Sequence, residues 1–356
     1  MINNEKYSDY FISYKSTIMQ TLDKLNRIKN KSLIVVDDEN RIIGTLTDGD
    51  IRRYILKTGK IEGKALDACC KNPIISDKNY NKIEILQKMK SQNIKIIPVI
   101  DENKKVVEIL VNEDDKIKTK VLKQLKTPVL IMAGGRGKRL DPITQIIPKP
   151  LIPLEENKTI IEIIMEKFAE YGTKEFWISL NYKSSLIKNY LSSLKLPYRI
   201  RYIQENKPLG TAGSLSLIRN KIKSENLIIN NCDIIVEIDY SNLIEFHEKN
   251  HNDITIVGCI KNYKIPYGKL EIEKGGIIKK INEKPELNII INTGLYIIKT
   301  ELINNLKPNN FLNMNDFIED CIKQKRKVIL YPIHENQFID IGEWDKYKKA
   351  IESILK

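Results

Sequence analysis

The chain has 356 residues, 42% of them hydrophobic, and a formal charge of +13. That length allows two domains with buried cores. No apolar run approaches the roughly 18–20 residues of a membrane span, and five cysteines with no CxxC pair argue against a disulfide framework or a zinc site. The lysines are scattered along amphipathic segments and form no tail or arm, so the charge reads as a solvated surface that steers anionic substrates, not as a nucleic-acid footprint. The opening MINNEKYSDY lacks the basic-then-apolar pattern of a secretory leader. The expected location is therefore cytoplasmic, with neither membrane nor nucleic acid as a partner.

Residues 1–125 carry an internal repeat. An apolar strand at 33–36 is followed by Asp38-Glu39-Asn40, a second strand at 42–46 and a helix opening at Asp48. Residues 96–100, Asp101-Glu102-Asn103 and 106–111 repeat this about 63 residues later, with one extra residue in the turn. An amphipathic helix precedes each copy, marked by Leu22, Leu25 and Ile28 in the first and by Ile83, Leu86 and Met89 in the second. Two copies suit a paired module better than a solenoid.

The segment GTLTDGDIRR (44–53) resembles the end of a CBS motif. The resemblance implies a tandem βαββα module that often binds adenine nucleotides, with Thr47 and Asp50 meeting a ribose. Asp48 is also a credible helix N-cap. The second copy has Val111-Asn112-Glu113-Asp114 where the first has Thr-Asp-Gly-Asp, so no ligand is expected in the second, and a purely structural or dimerising role is the alternative for the module.

Residues 123–128 read as a join, and 126–356 as a second domain. An apolar strand at 129–132 runs into Ala133-Gly134-Gly135-Arg136-Gly137-Lys138-Arg139. Glycines after a buried strand let backbone N–H groups converge on an anion. The loop is neither a Walker A motif, having no Gly-Lys-Ser/Thr, nor a GxGxxG dinucleotide fingerprint. Arg139 and Lys149, the latter between Pro148 and Pro150, are cations placed to neutralise phosphates. Apolar strands then alternate with amphipathic segments at 160–171, 175–179, 184–191, 198–203, 209–219 and 227–230, which predicts a largely parallel α/β sheet. Shorter runs at 254–259, 269–272, 277–282 and 295–299 include hairpin-like pairs, so the sheet is expected to be mixed. A helix at 344–355 ends the chain.

The wording GG-x-G-x-RL followed by PKP resembles the opening signature of the sugar-1-phosphate nucleotidyltransferases, and the resemblance runs over 128–348. It implies a Rossmann-like mixed-sheet catalytic domain in which Ala133, Gly134, Gly135 and Gly137 cradle a nucleoside triphosphate and Arg139 and Lys149 act on its phosphates. Asp233, in NNCDI after a strand, and Asp340, in FIDIG, are the implied Mg²⁺ ligands; Mg²⁺ takes one or two carboxylates together with phosphates and waters. QENKPLGTAG (204–213) resembles the second glycine-rich element, with Gly210 and Thr211 at the base and Glu205 reading it. A carboxylate there can accept from guanine N1–H and its exocyclic amine, which favours GTP. Glu283 and Lys284 in NEKP, with Asn292 and Gly294 in INTGLY, are the implied sugar-phosphate residues, Gly294 leaving room for the ring.

Three residues depart from the family wording. Lys138 stands where Thr is usual, Cys232 where Gly precedes the metal Asp, and Phe338 where Trp is common. A side chain at 232 is expected to crowd the metal or resist the backbone angles. His247 and His251, four apart, are read as a solvated helix face and not as metal ligands. The expected activity is transfer of GMP from GTP to a sugar 1-phosphate, with glucosamine 1-phosphate as first choice and use in bacterial surface glycans or nonulosonic acids. UTP, CTP or dTTP with another hexose or heptose 1-phosphate, and a silent regulatory paralogue, are the alternatives. A homo-oligomer is expected.

Overall fold

The computed structural model describes residues 4–112, 125–155 and 158–348. The chain groups into two compact units, Met1–Lys120 with Asn262–Ile289, and Val121–Lys261 with Ile290–Lys356.

In the first unit, Phe11–Ser13 runs parallel to Ser32–Val36, which pairs antiparallel with Ile42–Thr47. Ile96–Ile100 and Val106–Val111 form the second hairpin. Ile34 and Val36 share one buried cluster with Ile96 and Ile109, so the two copies have a common core. The turns show the repeat in atomic detail. Asp37 Oδ1 accepts from the N–H groups of Glu39 and Arg41 at 2.9 Å, and Asp101 Oδ1 accepts from those of Asn103 and Lys105 at 2.9 Å. Asn40 and Lys104 take the left-handed conformation at corresponding places. Asp37 is therefore the counterpart of Asp101 and the turns are equal in length, which corrects the extra residue read from the sequence. The identical Asp-Glu-Asn triplets at 38–40 and 101–103 are thus one residue out of structural register.

The helix before the second copy, Lys82–Ser91, forms as expected, but Ile83 is 68% exposed and only Met89 is fully buried. Its hydrophobic spacing overstated its burial. The helix of the first copy, Ile18–Arg27, does bury Leu22 and Leu25. Thr47, not Asp48, is the N-cap of the next helix, Asp48–Thr58. Glu113 and Asp114 lie outside the described residues, as do Lys123 and Gln124 of the join and the expected terminal helix beyond residue 348. In Asn262–Ile289, Lys269–Ile272 and Ile278–Asn282 form the expected antiparallel hairpin.

The second unit is built on seven strands: β1 (Val129–Met132), β2 (Glu175–Leu180), β3 (Arg199–Gln204), β4 (Asn226–Asn231), β5 (Ile254–Lys264), β6 (Glu286–Lys299) and β7 (Val328–His334). Their order across the sheet is β3-β2-β1-β4-β6-β5-β7. β1 is parallel to both neighbours, and β6 runs antiparallel to β4, so the sheet is mixed as expected. Val129 and Ile131 enter one apolar layer and Leu130 the other, each fully buried, which is why β1 reads as an unbroken apolar run.

Helix α1 (Ile160–Ala169) opens on a capping box. The Glu162 carboxylate accepts from the Thr159 N–H at 2.9 Å, and Ile160, Ile161, Ile164 and Phe168 fill the core. Helices α2 (Ser184–Ser193), α3 (Tyr240–Lys249) and α4 (Met314–Lys323) complete the main crossovers. The helix expected at 209–219 is instead one turn, Gly210–Gly213, continued by a 3₁₀ segment, Ser214–Ile218. Two glycines within four residues weaken a regular helix, and a packed neighbouring segment needs them both.

Candidate active site

β1, β2, β3 and β4 lie side by side and parallel, and the loops after them meet over their carboxyl ends, where open α/β sheets present ligands. There they enclose a cavity of about 460 Å³, within the range of small-molecule sites. Gly134, Gly135, Gly137, Arg139, Lys149, Glu205, Gly210, Thr211 and Asp233 all line it.

Asp233 sits in the turn after β4. Its Oδ2 lies 2.8 Å from the Lys149 ammonium and 4.0 Å from the Arg139 guanidinium. Lys149 is buried, fixed in a short turn between Pro148 and Pro150, so its charge is delivered at a defined point. Arg139 is more exposed and also pairs with Glu343 at 2.8 Å. The strand Ile234–Val236 pairs antiparallel with Phe338–Asp340, setting Ile234 opposite Asp340, and the Ile341 N–H donates to the Asp233 carbonyl at 2.8 Å. Two aspartates over 100 positions apart in sequence thus occupy neighbouring backbone. Burial pushes the Asp340 carboxyl upward, but hydrogen bonds from Lys346 (2.6 Å) and the Gly342 N–H outweigh it and hold its pKa below the ordinary value.

Among the described residues no group of three or more His, Cys, Asp or Glu could hold a metal. The carboxylates of Asp233 on the cavity wall and Asp340 on the paired strand are nonetheless hard oxygen donors of the kind that suits Mg²⁺, which completes its shell with phosphate and water.

Gly137 takes the left-handed conformation, and a Cβ there would lie 3.1 Å from Lys149 Cβ. A Cβ on Gly135 would meet nothing within 4 Å, leaving its backbone open to the cavity. Glu205 is buried. Its Oε1 accepts from the Ser179 hydroxyl at 2.6 Å and its Oε2 from the Leu209 N–H at 3.1 Å. It therefore caps the Gly210 turn and also faces the cavity, and a carboxylate has about four acceptor sites, so lone pairs remain for a base.

Residues 128–356 match the family model described as Nucleotidyl transferase. The chain belongs to the nucleotidyl transferase family. Residues 8–57 match the CBS domain model. Among curated relatives, a probable mannose-1-phosphate guanylyltransferase of Oryza sativa is 34% identical over 51% of this chain and 53% of its own length. The D-glycero-alpha-D-manno-heptose 1-phosphate guanylyltransferase of Campylobacter jejuni is 28% identical over 61% of this chain and 96% of its own. The chain spans about half the length of the first curated relatives it matches. The crystal structure of HddC from Yersinia pseudotuberculosis superposes with a TM-score of 0.51 at 30% identity, covering 64% of this chain and 99% of that one.

For this member of the nucleotidyl transferase family, the structure revises several expectations. Cys232 does not strain its turn: it is absent from the positive-φ residues, and its side chain enters the core cluster beside the cavity. Burial pushes its thiol up to about 12, so it stays neutral. Gly294 (φ +89°) also answers to protein, since a Cβ there would lie 2.3 Å from the Asn231 side-chain amide nitrogen. Asn292 donates to the Tyr296 hydroxyl at 2.8 Å and accepts from the Gly294 N–H at 3.0 Å, fixing a bend within β6. Gly210 (φ +77°) likewise answers to protein and not only to a base, since a Cβ would lie 2.5 Å from the Leu312 carbonyl oxygen. Glu283 and Lys284 occupy an exposed bend in the segment that groups with the first unit, and Lys284 has positive φ.

His247 is not on a solvated face. It is buried, with Nδ1 2.8 Å from the Thr255 hydroxyl and Nε2 3.1 Å from Asn226 Oδ1, and burial lowers its pKa to about 4. In the first unit Thr47 and Asp50 form a reciprocal capping box: Asp50 Oδ2 accepts from the Thr47 N–H at 2.9 Å and Thr47 Oγ1 from the Asp50 N–H at 3.3 Å. Asp50 also pairs with Arg53.

Sequence reading missed Ser179, Glu343, Lys346, Asn231 and the Phe311–Asn313 edge of the cavity. All but Lys346, whose partner Asp340 is six residues away, depend on partners remote in sequence, and none carries a motif.

Proposed function

We propose that the protein is a sugar-1-phosphate guanylyltransferase. The observation that carries this reading is the Lys149–Asp233 pair, with Arg139 4.0 Å from the same Asp233 oxygen, at the end of the glycine-rich cradle. Glu205 beside Gly134 favours guanine, and a second HddC crystal structure, 27% identical to this chain, is of a complex with GMP-PN.

A phosphate oxygen of the sugar 1-phosphate attacks the α-phosphorus of GTP, a new P–O bond forms, and the α–β bridging bond breaks to release pyrophosphate. The loop N–H groups and Lys149 hold the triphosphate, and Arg139 offsets charge as it shifts to the leaving group. Asp233 and Asp340 would hold Mg²⁺, which supplies charge neutralisation at the phosphates.

Glucosamine 1-phosphate is the proposed acceptor, in bacterial surface-glycan or nonulosonic-acid precursor synthesis; relatives are named for mannose and heptose 1-phosphates. Glu283, Lys284, Asn292 and Gly294 are proposed for the sugar phosphate. The CBS pair is proposed as a regulatory or dimerising module that takes an adenine nucleotide. No described helix is long and apolar enough to cross a membrane. Five cysteines free of disulfides favour a reducing, cytoplasmic setting.

The test is pyrophosphate release from GTP, ATP, UTP, CTP or dTTP with Mg²⁺ and glucosamine, mannose, glucose and heptose 1-phosphates. Release with GTP and one acceptor, lost in Asp233→Asn, is expected. Preference for another nucleotide would overturn the guanine assignment, and silence in a folded protein would overturn the activity.

A further inference from the structure

Phe311 is a large aromatic side chain, 64% exposed, on the wall of the cavity. The backbone that follows it is held by the loop lining the cavity. The Leu312 N–H donates to the Leu209 carbonyl at 2.8 Å, and the Ala212 and Gly213 N–H groups both donate to the Leu312 carbonyl at 2.9 Å. The Met314 N–H donates to Thr211 Oγ1 at 2.8 Å. Gly210 and Gly213 permit this contact, since a Cβ on either would lie within 2.5 Å of the carbonyl oxygens of Leu312 and Asn310 respectively. Leu312 packs on the apolar core, leaving its neighbour Phe311 at the cavity. An exposed aromatic is ordinary where its backbone is loose; this one directly precedes a residue clamped to the loop that lines the cavity.

The cavity also has two chemically different ends. Lys149, Arg139 and Asp233 gather at one, joined by the ion pairs described above. The other end is the contiguous set of Glu205, Gly210 and Thr211 with the 310–313 segment bonded to them. A nucleotide has matching ends, an anionic triphosphate and an uncharged base. From this we infer that Phe311 stacks on the base of the bound nucleotide and that the Gly210–Gly213 turn serves to hold it there.

The inference rests on the nucleotide-binding reading of the cavity, but not on the base being guanine. Every base has a π-face, so stacking adds affinity whichever nucleotide binds, while Glu205 discriminates among them. A rigid backbone reduces the ordering cost of that contact.

The test is calorimetric binding of GTP, ATP, UTP, CTP, dTTP and inorganic tripolyphosphate to the full chain and to Phe311→Ala and Phe311→Tyr. Thermal melts check that the variants fold; an exposed ring leaves the melting temperature close to that of the unaltered chain. We expect Phe311→Ala to weaken the preferred nucleotide about 10-fold or more, the scale of one base–aromatic stack. Tripolyphosphate binding stays unchanged and Phe311→Tyr restores nucleotide affinity. Equal loss for tripolyphosphate and nucleotide, or unchanged nucleotide affinity in Phe311→Ala, would overturn the inference. If the preferred nucleotide is not GTP but still weakens in Phe311→Ala, stacking stands and the guanylyltransferase reading falls. Binding of no nucleotide beyond tripolyphosphate removes both.

Discussion

The Lys149 ammonium lies 2.8 Å from Asp233 Oδ2, so two residues far apart in sequence are in contact in space. Lys149 is buried and Asp233 partly exposed, so the lysine is the fixed member of the pair. Replacing it with Met keeps the stem and removes the charge. Lys149→Met is expected to lower kcat/KM by about 10²–10³, the loss typical of one preorganised electrostatic group. Lys149→Arg is not expected to restore activity, because a planar fork does not occupy the place of a compact ammonium. Steady-state pyrophosphate release checks both, and native-level turnover in Lys149→Met would remove Lys149 from the mechanism.

Glu205 bonds Ser179 and Leu209 while lining the cavity. Glu205→Gln keeps the volume but replaces one acceptor oxygen by a donor. Preference for GTP over ATP is expected to fall roughly 10- to 100-fold, the worth of hydrogen bonds to a charged group. Competition between the two nucleotides measures it. An unchanged ratio would mean that Glu205 is only the cap of the Gly210 turn.

His247 makes stability depend on pH. Its folded pKa, about 4, lies below the ordinary 6.5 because burial and the Lys299 charge disfavour the imidazolium. Between these values the unfolded chain binds a proton that the folded chain does not. Stability therefore rises with pH through this window and is lost as pH falls from 6.5 toward 4, at up to about 1.4 kcal/mol per pH unit. Urea denaturation at several pH values should show that slope, reduced in His247→Gln. The same slope in both proteins would assign the effect to other groups.

Thr47 caps Asp48–Thr58 reciprocally with Asp50. Thr47→Ala is expected to destabilise the first unit by about 1 kcal/mol. Denaturation followed in that unit, with pyrophosphate release alongside, measures the cost. Because cap and proposed ribose contact use the same hydroxyl, adenine-nucleotide affinity is expected to fall in this variant. Intact affinity would separate the ligand from Thr47.

Much of the site was readable because it is local in the chain. A buried strand that ends in GGRGKRL must turn, and PKP fixes a lysine between two rigid residues; neither statement needs a distant partner. The same holds for β1 as a central strand, with every residue apolar, and for the existence of the repeat, though not for the register of its turns. What the sequence could not supply were pairings across the fold. Asp233 and Asp340 become neighbours only when Ile234–Val236 pairs with Phe338–Asp340. His247 meets its partners Asn226 and Thr255, from β4 and β5, only in the folded chain. Gly210 and Gly294 announce an unusual backbone, yet the atoms that leave no room for a side chain there, the Leu312 carbonyl and the Asn231 side-chain amide, belong to other strands and loops. Local chemistry thus determined which residues are candidates to meet phosphate, metal and base. Tertiary packing decided which of them meet one another, because those contacts depend on strand order and on volume filled by residues far along the chain.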